Sequence, residues 1–79
     1  MPQPTLAQLG TAIRSLRKKR ELTHEDLAHE SGFHRVSISR IERGKQDPSW
    51  TGISRIATAL DVELVDLVRL AGKQPAAGK

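Results

Sequence analysis

Four polar or basic side chains fall on the outward face predicted for a helix over residues 35–43: Arg35, Ser39, Arg40 and Arg43. A guanidinium group can donate two hydrogen bonds to O6 and N7 of a guanine, a pairing worth about 1–3 kcal/mol of discrimination between bases. Serine hydroxyls can bond to bases or to phosphates. The chemistry that this face offers is hydrogen bonding to a partner rich in acceptors, such as a nucleic acid, rather than catalysis.

The other residues whose types could do chemistry do not form a catalytic or metal site. His24, His29 and His34 are spaced by five residues, whereas two metal ligands on one helix face need a spacing of three or four. We therefore expect exposed or capping histidines. Adjacent carboxylates such as Glu25 and Asp26 fit a helix start, and no Gly-rich phosphate loop or nucleophile motif is present. The sequence predicts no catalytic residue, no metal, no cofactor and no enzyme activity.

Composition limits the kinds of protein that the chain can be. Its 79 residues allow one small domain, and an aromatic content of only 3% favours packed helices over a sheet. A net charge of +4 fits a nucleic-acid partner without requiring one. The absence of cysteine excludes a disulfide scaffold and a thiolate zinc site. No apolar run is long enough for a membrane span, so we expect a soluble, cytoplasmic protein.

Two short amphipathic patterns that meet at Gly32 should position the outward face. Thr23 is predicted to cap the second helix of the chain, with Asp26 at the acid position of a capping box. Gly32 suits the left-handed turn that ends this helix, because it has no Cβ to clash. Phe33 lies in the turn. His34 caps the third helix of the chain less well than Ser or Thr would. A helix, a glycine turn and a second helix of this size predict a helix-turn-helix.

Three further helices are predicted from apolar residues at three- and four-residue intervals. Thr5 should cap the first, and Ser49 should cap the fourth, in which Gly52 is expected to cost roughly 1 kcal/mol relative to Ala. Trp50 is expected to be a partly buried core residue or a dimer residue. Residues 1–4 are predicted to form a flexible N-terminus and residues 5–71 a DNA-binding and dimerisation domain. Residues 72–79 are predicted to be a disordered tail.

The fifth helix, predicted over residues 63–71, carries more apolar surface than one core can use. Val65 and Leu70 flank its inward stripe on opposite sides, so its apolar arc is about twice the ~100° that packing on one core needs. Such a face favours a subunit contact in a homodimer. The alternative is that one flank lies under the first helix of the same chain. The predicted interface residues are Leu64, Val65, Val68 and Leu70.

Several motifs occur together in one order: IRSLRKKRELTHEDLA, SGFHRVSISRIERGKQDPS and ISRIATALDVEL. Over residues 9–67 the sequence resembles the Cro and lambda-repressor-like helix-turn-helix regulators, also called the xenobiotic-response-element family. The resemblance implies a five-helix all-α fold, a homodimer and sequence-specific binding to an operator on double-stranded DNA. The segment from HRVSIS to SRIERG also resembles the small controller proteins of restriction–modification systems.

The resemblance implies roles for individual residues. The start of the recognition helix would read bases through Arg35, Val36, Ser39 and Arg40. Phosphates would be bound at the start of the second helix and around the third, by Thr23, His24, Ser37, Arg43 and Lys45. A partly buried ion pair between Arg17 and Glu42 would tie the first helix to the third. The alternative for Arg40 is a phosphate contact or solvent exposure.

Two other functions share this fold or composition. An antitoxin-type module would use the apolar fifth helix and the tail to bind a protein partner, and fold alone does not separate it from a DNA-binding regulator. RNA binding is the weaker alternative, because readout of single strands usually uses stacking aromatic side chains. This chain has only Phe33 and Trp50 to offer.

Overall fold

Five α-helices account for most of the chain in a computed structural model, which describes residues 3–75. They are α1 (Leu6–Lys19), α2 (His24–Ser31), α3 (Arg35–Glu42), α4 (Ser49–Ala59) and α5 (Leu64–Gly72). Between residues 3 and 75 there is no β-strand. The predicted five-helix all-α fold is therefore confirmed.

Capping boxes begin α1 and α2. The Thr5 hydroxyl accepts a hydrogen bond from the backbone N–H of Gln8 (3.1 Å), whose side-chain oxygen accepts from the N–H of Thr5 (2.9 Å). Thr23 and Asp26 make the same reciprocal pair at 3.0 and 2.9 Å. Gly32 then ends α2 with φ +82°. These local features agree with the sequence prediction.

The starts of α3 and α4 are less regular. The His34 side chain makes no capping hydrogen bond, as expected for a weak cap. Ser49 is the first residue of α4 and has φ +65°, in the left-handed region that non-glycine residues rarely adopt. Its hydroxyl still accepts from the N–H of Gly52 at 3.3 Å, and its own N–H donates to Asp47 Oδ1 at 2.9 Å. The prediction that Ser49 caps α4 is therefore off by one residue: Pro48 holds the cap position without a side-chain bond, and Ser49 makes its bond to Gly52 from inside the helix.

The core is built from aliphatic side chains of all five helices. Helix α1 packs against α3 and α5, while α4 packs against α2 and α5. Full burial of one such side chain contributes about 1.5–3 kcal/mol. The largest apolar side chains that are fully buried are Ile13, Leu27, Ile38, Ile41, Ile56, Leu60 and Leu67. The two helices of the helix-turn-helix are therefore held against each other by neighbours on either side.

Two glycines allow close approaches that the sequence prediction did not anticipate. A Cβ at Gly10 would lie 2.4 Å from the carbonyl oxygens of Ile41 and Glu42, so α1 crosses the end of α3 at backbone contact. A Cβ at Gly52 would lie 2.7 Å from the ring of Phe33. Gly52 was expected only to weaken α4, but the structure shows that it makes room for the turn of the helix-turn-helix.

The surface of α5 is divided between its own core and solvent. Leu64 and Leu70 are partly buried and pack on the core of the same chain, which supports the alternative reading for part of this face. Val65 is 58% exposed and Val68 38% exposed. The prediction of a partly buried core position for Trp50 is wrong, because this side chain is 74% exposed. Its place in a dimer contact stays a prediction.

The last helix ends one residue later than the sequence predicts. Gly72 is the last residue of α5, and Gln8 Nε2 donates to the carbonyl oxygen of Gln74 at 2.8 Å. The described chain is therefore tied to α1 beyond residue 71. The remaining parts of the two predicted flexible segments, residues 1–2 and 76–79, lie outside the described residues. Within residues 3–75, each helix is too short or too polar to span a membrane.

Candidate nucleic-acid interface

The exposed face of α3 opens into a shallow groove of about 340 Å³. Its lining combines three of the residues predicted to read bases with two predicted to bind phosphate: Arg35, Val36, Ser39, His24 and Arg43. Arg40 is exposed on the same helix but does not line this groove. The structure thus brings the start of α2 beside the outward face of α3.

The other predicted phosphate contacts lie around the groove with different exposure. Thr23 and Lys45 are exposed, whereas Ser37 is only partly exposed. The backbone N–H of Lys45 donates to the carbonyl oxygen of Arg40 at 2.9 Å, which fixes the loop directly after α3. Arg43 folds back on its own helix, with Nε 3.4 Å from the carbonyl oxygen of Ser39. This bond is long, so the Arg43 guanidinium can move to a ligand at little cost.

Behind the groove, a carboxylate is buried and paired with a guanidinium. Arg17 Nε donates to Glu42 Oε2 at 2.6 Å, and a second Arg17 nitrogen donates to Glu42 Oε1 at 3.1 Å. The same guanidinium donates to the carbonyl oxygen of Leu22 at 2.8 Å. The Glu42 side chain is only 4% exposed. The ion pair implied by the resemblance is therefore present, and it joins α1 to the end of α3.

His24 is a third member of this network, which the sequence prediction did not include. Its Nε2 lies 2.9 Å from Glu42 Oε1, and its side chain is 36% exposed. The sequence predicts an exposed or capping histidine here, whereas the partly exposed ring also bonds to a buried carboxylate. His24 is the first residue of α2, and only the fold places that position beside the end of α3. Within residues 3–75 no group of three metal-ligating side chains comes together.

Arg14 extends the basic face onto α1 and was also missed. It is exposed and lines a pocket of about 210 Å³ beside the groove, together with Arg17, His24, Ser39, Glu42 and Arg43. Arg14 precedes Arg17 by three residues, so the two share one face of α1. That spacing, combined with the predicted ion pair, could have identified it from the sequence.

The capping box of α2 determines which groups remain for an anion. Hydrogen bonds from the Thr23 backbone N–H and hydroxyl lower the pKa of Asp26, which therefore stays a carboxylate. The carboxylate occupies the Thr23 N–H, and the Thr23 hydroxyl oxygen accepts from the Asp26 N–H. The box does not use the first-turn N–H groups of His24 and Glu25, so these remain as donors for an anion.

Comparison with known proteins agrees with this arrangement. Residues 8–71 match the model of a family described as a helix-turn-helix domain. The chain is 40% identical to the control protein C.BamHI of Bacillus amyloliquefaciens over 60 residues, which cover 75% of this chain and 74% of the other.

Two solved structures of regulators are similar to most of this chain. The restriction–modification controller protein C.AhdI from Aeromonas hydrophila has a TM-score of 0.77 and 39% identity, over 78% of this chain and 94% of the other. The clp gene regulator ClgR from Corynebacterium glutamicum has a TM-score of 0.86 and 30% identity, over 95% and 97%.

These similarities confirm the resemblance seen in the sequence, including the one to controller proteins. The relatives are named as regulators and not as enzymes. The chain therefore belongs to the helix-turn-helix domain family and is a transcriptional regulator of that type.

Proposed function

We propose that the protein binds double-stranded DNA sequence-specifically as a homodimer, with α3 in the major groove of each half of a palindromic operator. The observation that carries this proposal is the groove beside α3. It places side chains suited to base edges next to side chains suited to phosphates. Base contacts give specificity and phosphate contacts fix the register, and a duplex-binding surface needs both.

The base-reading part of the proposal rests on Arg35, Val36, Ser39 and Arg40. Arg35 and Arg40 are exposed on α3 and can each bind a guanine edge through two hydrogen bonds. Val36 is 58% exposed on an otherwise polar face. An apolar side chain there would gain from contact with a thymine methyl group. Ser39 lines the same groove and can bond to either kind of base edge.

The phosphate-binding part rests on the charge balance around the groove. Glu42 neutralises Arg17 inside the protein, so the exposed cations are left with no acidic partner in the groove lining. We assign phosphate contacts to Thr23, His24, Ser37, Arg43 and Lys45, and we add Arg14 to this set. Contacts of this kind make DNA affinity fall steeply with salt concentration.

The dimer part rests on apolar surface away from α3. Val65 and Val68 are exposed on α5, and Val68 lines an apolar recess that Leu6, Leu9 and Ile53 also line. Trp50 lies three residues before Ile53 on α4 and is largely exposed. A second copy seated on this surface would cover these side chains. It would also place two α3 helices on successive major-groove faces, roughly 34 Å apart.

A selection from a random duplex library tests the proposal. The library must be long enough for two half-sites one helical turn apart, about 34 Å. We expect the purified protein alone to retain a palindromic sequence, with affinity that decreases as salt is added. If the retained duplexes show no sequence preference at any salt concentration, the proposal is contradicted.

The same exposed apolar surface favours one second candidate, a module that binds another protein. In that case Trp50, Val65 and Val68 would contact the partner, and DNA binding would be weak or absent without it. The selection separates the two functions, because it uses the purified protein by itself.

A further inference from the structure

We propose that DNA binding adds a proton to His24, because this side chain can bind a phosphate only as an imidazolium ion. The inference rests on the DNA binding proposed above and concerns one contact within it. It follows from the bond between His24 and Glu42, which already uses one of the two nitrogens of the ring.

The state of Glu42 fixes which ring nitrogen carries hydrogen. Glu42 receives hydrogen bonds from Arg17 on both of its oxygens, at 2.6 and 3.1 Å, so it is a carboxylate and can only accept. His24 Nε2, 2.9 Å from Glu42 Oε1, must therefore be the donor. A neutral His24 consequently has its hydrogen on Nε2 and a lone pair on Nδ1.

In neutral His24 the nitrogen left for a ligand is Nδ1, which has no hydrogen to donate to DNA. A phosphodiester oxygen is an acceptor, so it gains nothing from a nitrogen that offers only a lone pair. Protonation at Nδ1 converts that nitrogen into a donor and makes the ring a cation, while Nε2 keeps its bond to Glu42. The resulting charge-assisted hydrogen bond is stronger than a neutral one. The bonds made are Nδ1–H and its contact with phosphate oxygen, and the proton comes from solvent.

A bound phosphate adds a negative charge beside a ring that charged groups already surround. They come from both neighbouring elements: Arg14 and Arg17 on α1, and Arg35, Glu42 and Arg43 on α3. The Glu42 carboxylate, which Arg17 partly neutralises, favours a charged ring, whereas Arg14, Arg35 and Arg43 oppose one. A bound phosphate supplies the missing negative charge, so binding of DNA and binding of a proton should favour each other.

The first test measures affinity against pH for the duplex retained in the selection, between about pH 6 and 8, where histidine ordinarily changes charge. We expect the affinity of the parent protein to fall by up to about tenfold per pH unit, the slope for uptake of one proton. His24→Gln keeps a donor for Glu42 but cannot gain a proton, so its affinity should be nearly independent of pH. His29→Gln, an exposed position on the same helix, is the matched control and should keep the parent slope.

His34 is the competing source of such a slope, because it caps α3 at the tip of the reading helix. If His34→Gln loses the pH dependence and His24→Gln retains it, the assignment to His24 is overturned. A parent protein that binds the duplex with the same affinity across this range would overturn the proposal as well.

The second test reads the ring directly by nitrogen-15 NMR of the histidine side chains. In the free protein at the upper end of the range we expect the Nε2–H tautomer of His24, and in the complex a ring protonated on both nitrogens. An Nδ1–H tautomer in the free protein, or a neutral ring in the complex, would refute the mechanism. If no duplex is retained in the selection, the proposed function fails instead, and the tautomer of the free protein still tests the geometry.

Discussion

Removal of Arg17 should destabilise the domain far more than removal of any exposed arginine. Arg17→Met would remove the main partner of the Glu42 carboxylate, whose side chain is only 4% exposed. Of the partners that the structure shows, His24 would remain. Breaking one side of a buried ion pair typically costs about 3–5 kcal/mol. At roughly 0.05–0.15 kcal/mol per residue, the whole domain has only about 4–12 kcal/mol of stability. The substitution should therefore remove a large part of it.

A double-mutant cycle makes this expectation specific to the pair. Glu42→Met should cost a similar amount, because it leaves the Arg17 guanidinium buried without its counter-ion. The double variant should lose far less than the sum, since apolar replacements of a buried pair are often close to neutral. Both variants that lack Arg17 also lose its bond to the Leu22 carbonyl, which should lower their free energy of unfolding by about 1 kcal/mol more. We expect a coupling energy of about 3 kcal/mol between the two positions, at the upper end of what such cycles give.

Urea unfolding followed by circular dichroism at neutral pH measures all four proteins. Arg14→Met is the matched control, because Arg14 is exposed on the same helix, and it should stay within about 0.5 kcal/mol of the parent. Arg17→Lys keeps the charge but not the two-donor geometry, and should fall between the parent and Arg17→Met. Additive losses in the cycle, or an Arg17→Met variant as stable as the control, would refute the structural role of the pair.

Three further predictions concern packing, acid stability and assembly. Gly10→Ala should lower the free energy of unfolding by about 1–3 kcal/mol, because its Cβ would meet backbone carbonyls of α3. Gly72→Ala should be tolerated, since a Cβ there would have its nearest neighbour at 3.8 Å. Equal melting temperatures for the two variants would contradict this prediction. Asp26→Asn should be less stable than the parent at pH 7, and the difference should vanish as pH falls through the pKa of Asp26, since a carboxyl with a lowered folded-state pKa stabilises only while ionised. A difference that stays constant in urea titrations across this range would count against the capping box. Val65→Glu should give folded monomers with weaker operator affinity in sedimentation and binding assays, and a parent that is already monomeric at micromolar concentration would remove the basis for this prediction.

The local features of the fold could be predicted because each depends on a few neighbouring residues. The capping box of Thr23 and Asp26 and the left-handed turn at Gly32 are short-range chemistry, and both occur as expected. The start of α4 was harder, since Ser49 makes its bond to Gly52 from inside the helix, with a strained φ that no local pattern indicates. Apolar periodicity identified the five helices for the same local reason.

Contacts within the candidate site between residues far apart in sequence were predictable only where family resemblance supplied them. The pair of Arg17 and Glu42 is 25 residues apart in sequence and could not be deduced from spacing alone. His24 and Arg14 join the site only because α1 and the start of α2 both meet the end of α3. Gly52 was misjudged for a related reason, because helix propensity counts only its own helix and not the Phe33 ring that needs the space.

The most direct test of the account compares Arg35→Ala with Arg43→Ala in the same random-duplex selection. Arg35 is assigned to a base and Arg43 to a phosphate, although both are exposed arginines that line one groove. We expect Arg35→Ala to relax the preference at one position of each half-site, with a loss of about 1–3 kcal/mol for the preferred base, and Arg43→Ala to weaken binding uniformly. A uniform loss for Arg35→Ala, with every base preference unchanged, would contradict the claim that α3 reads the sequence.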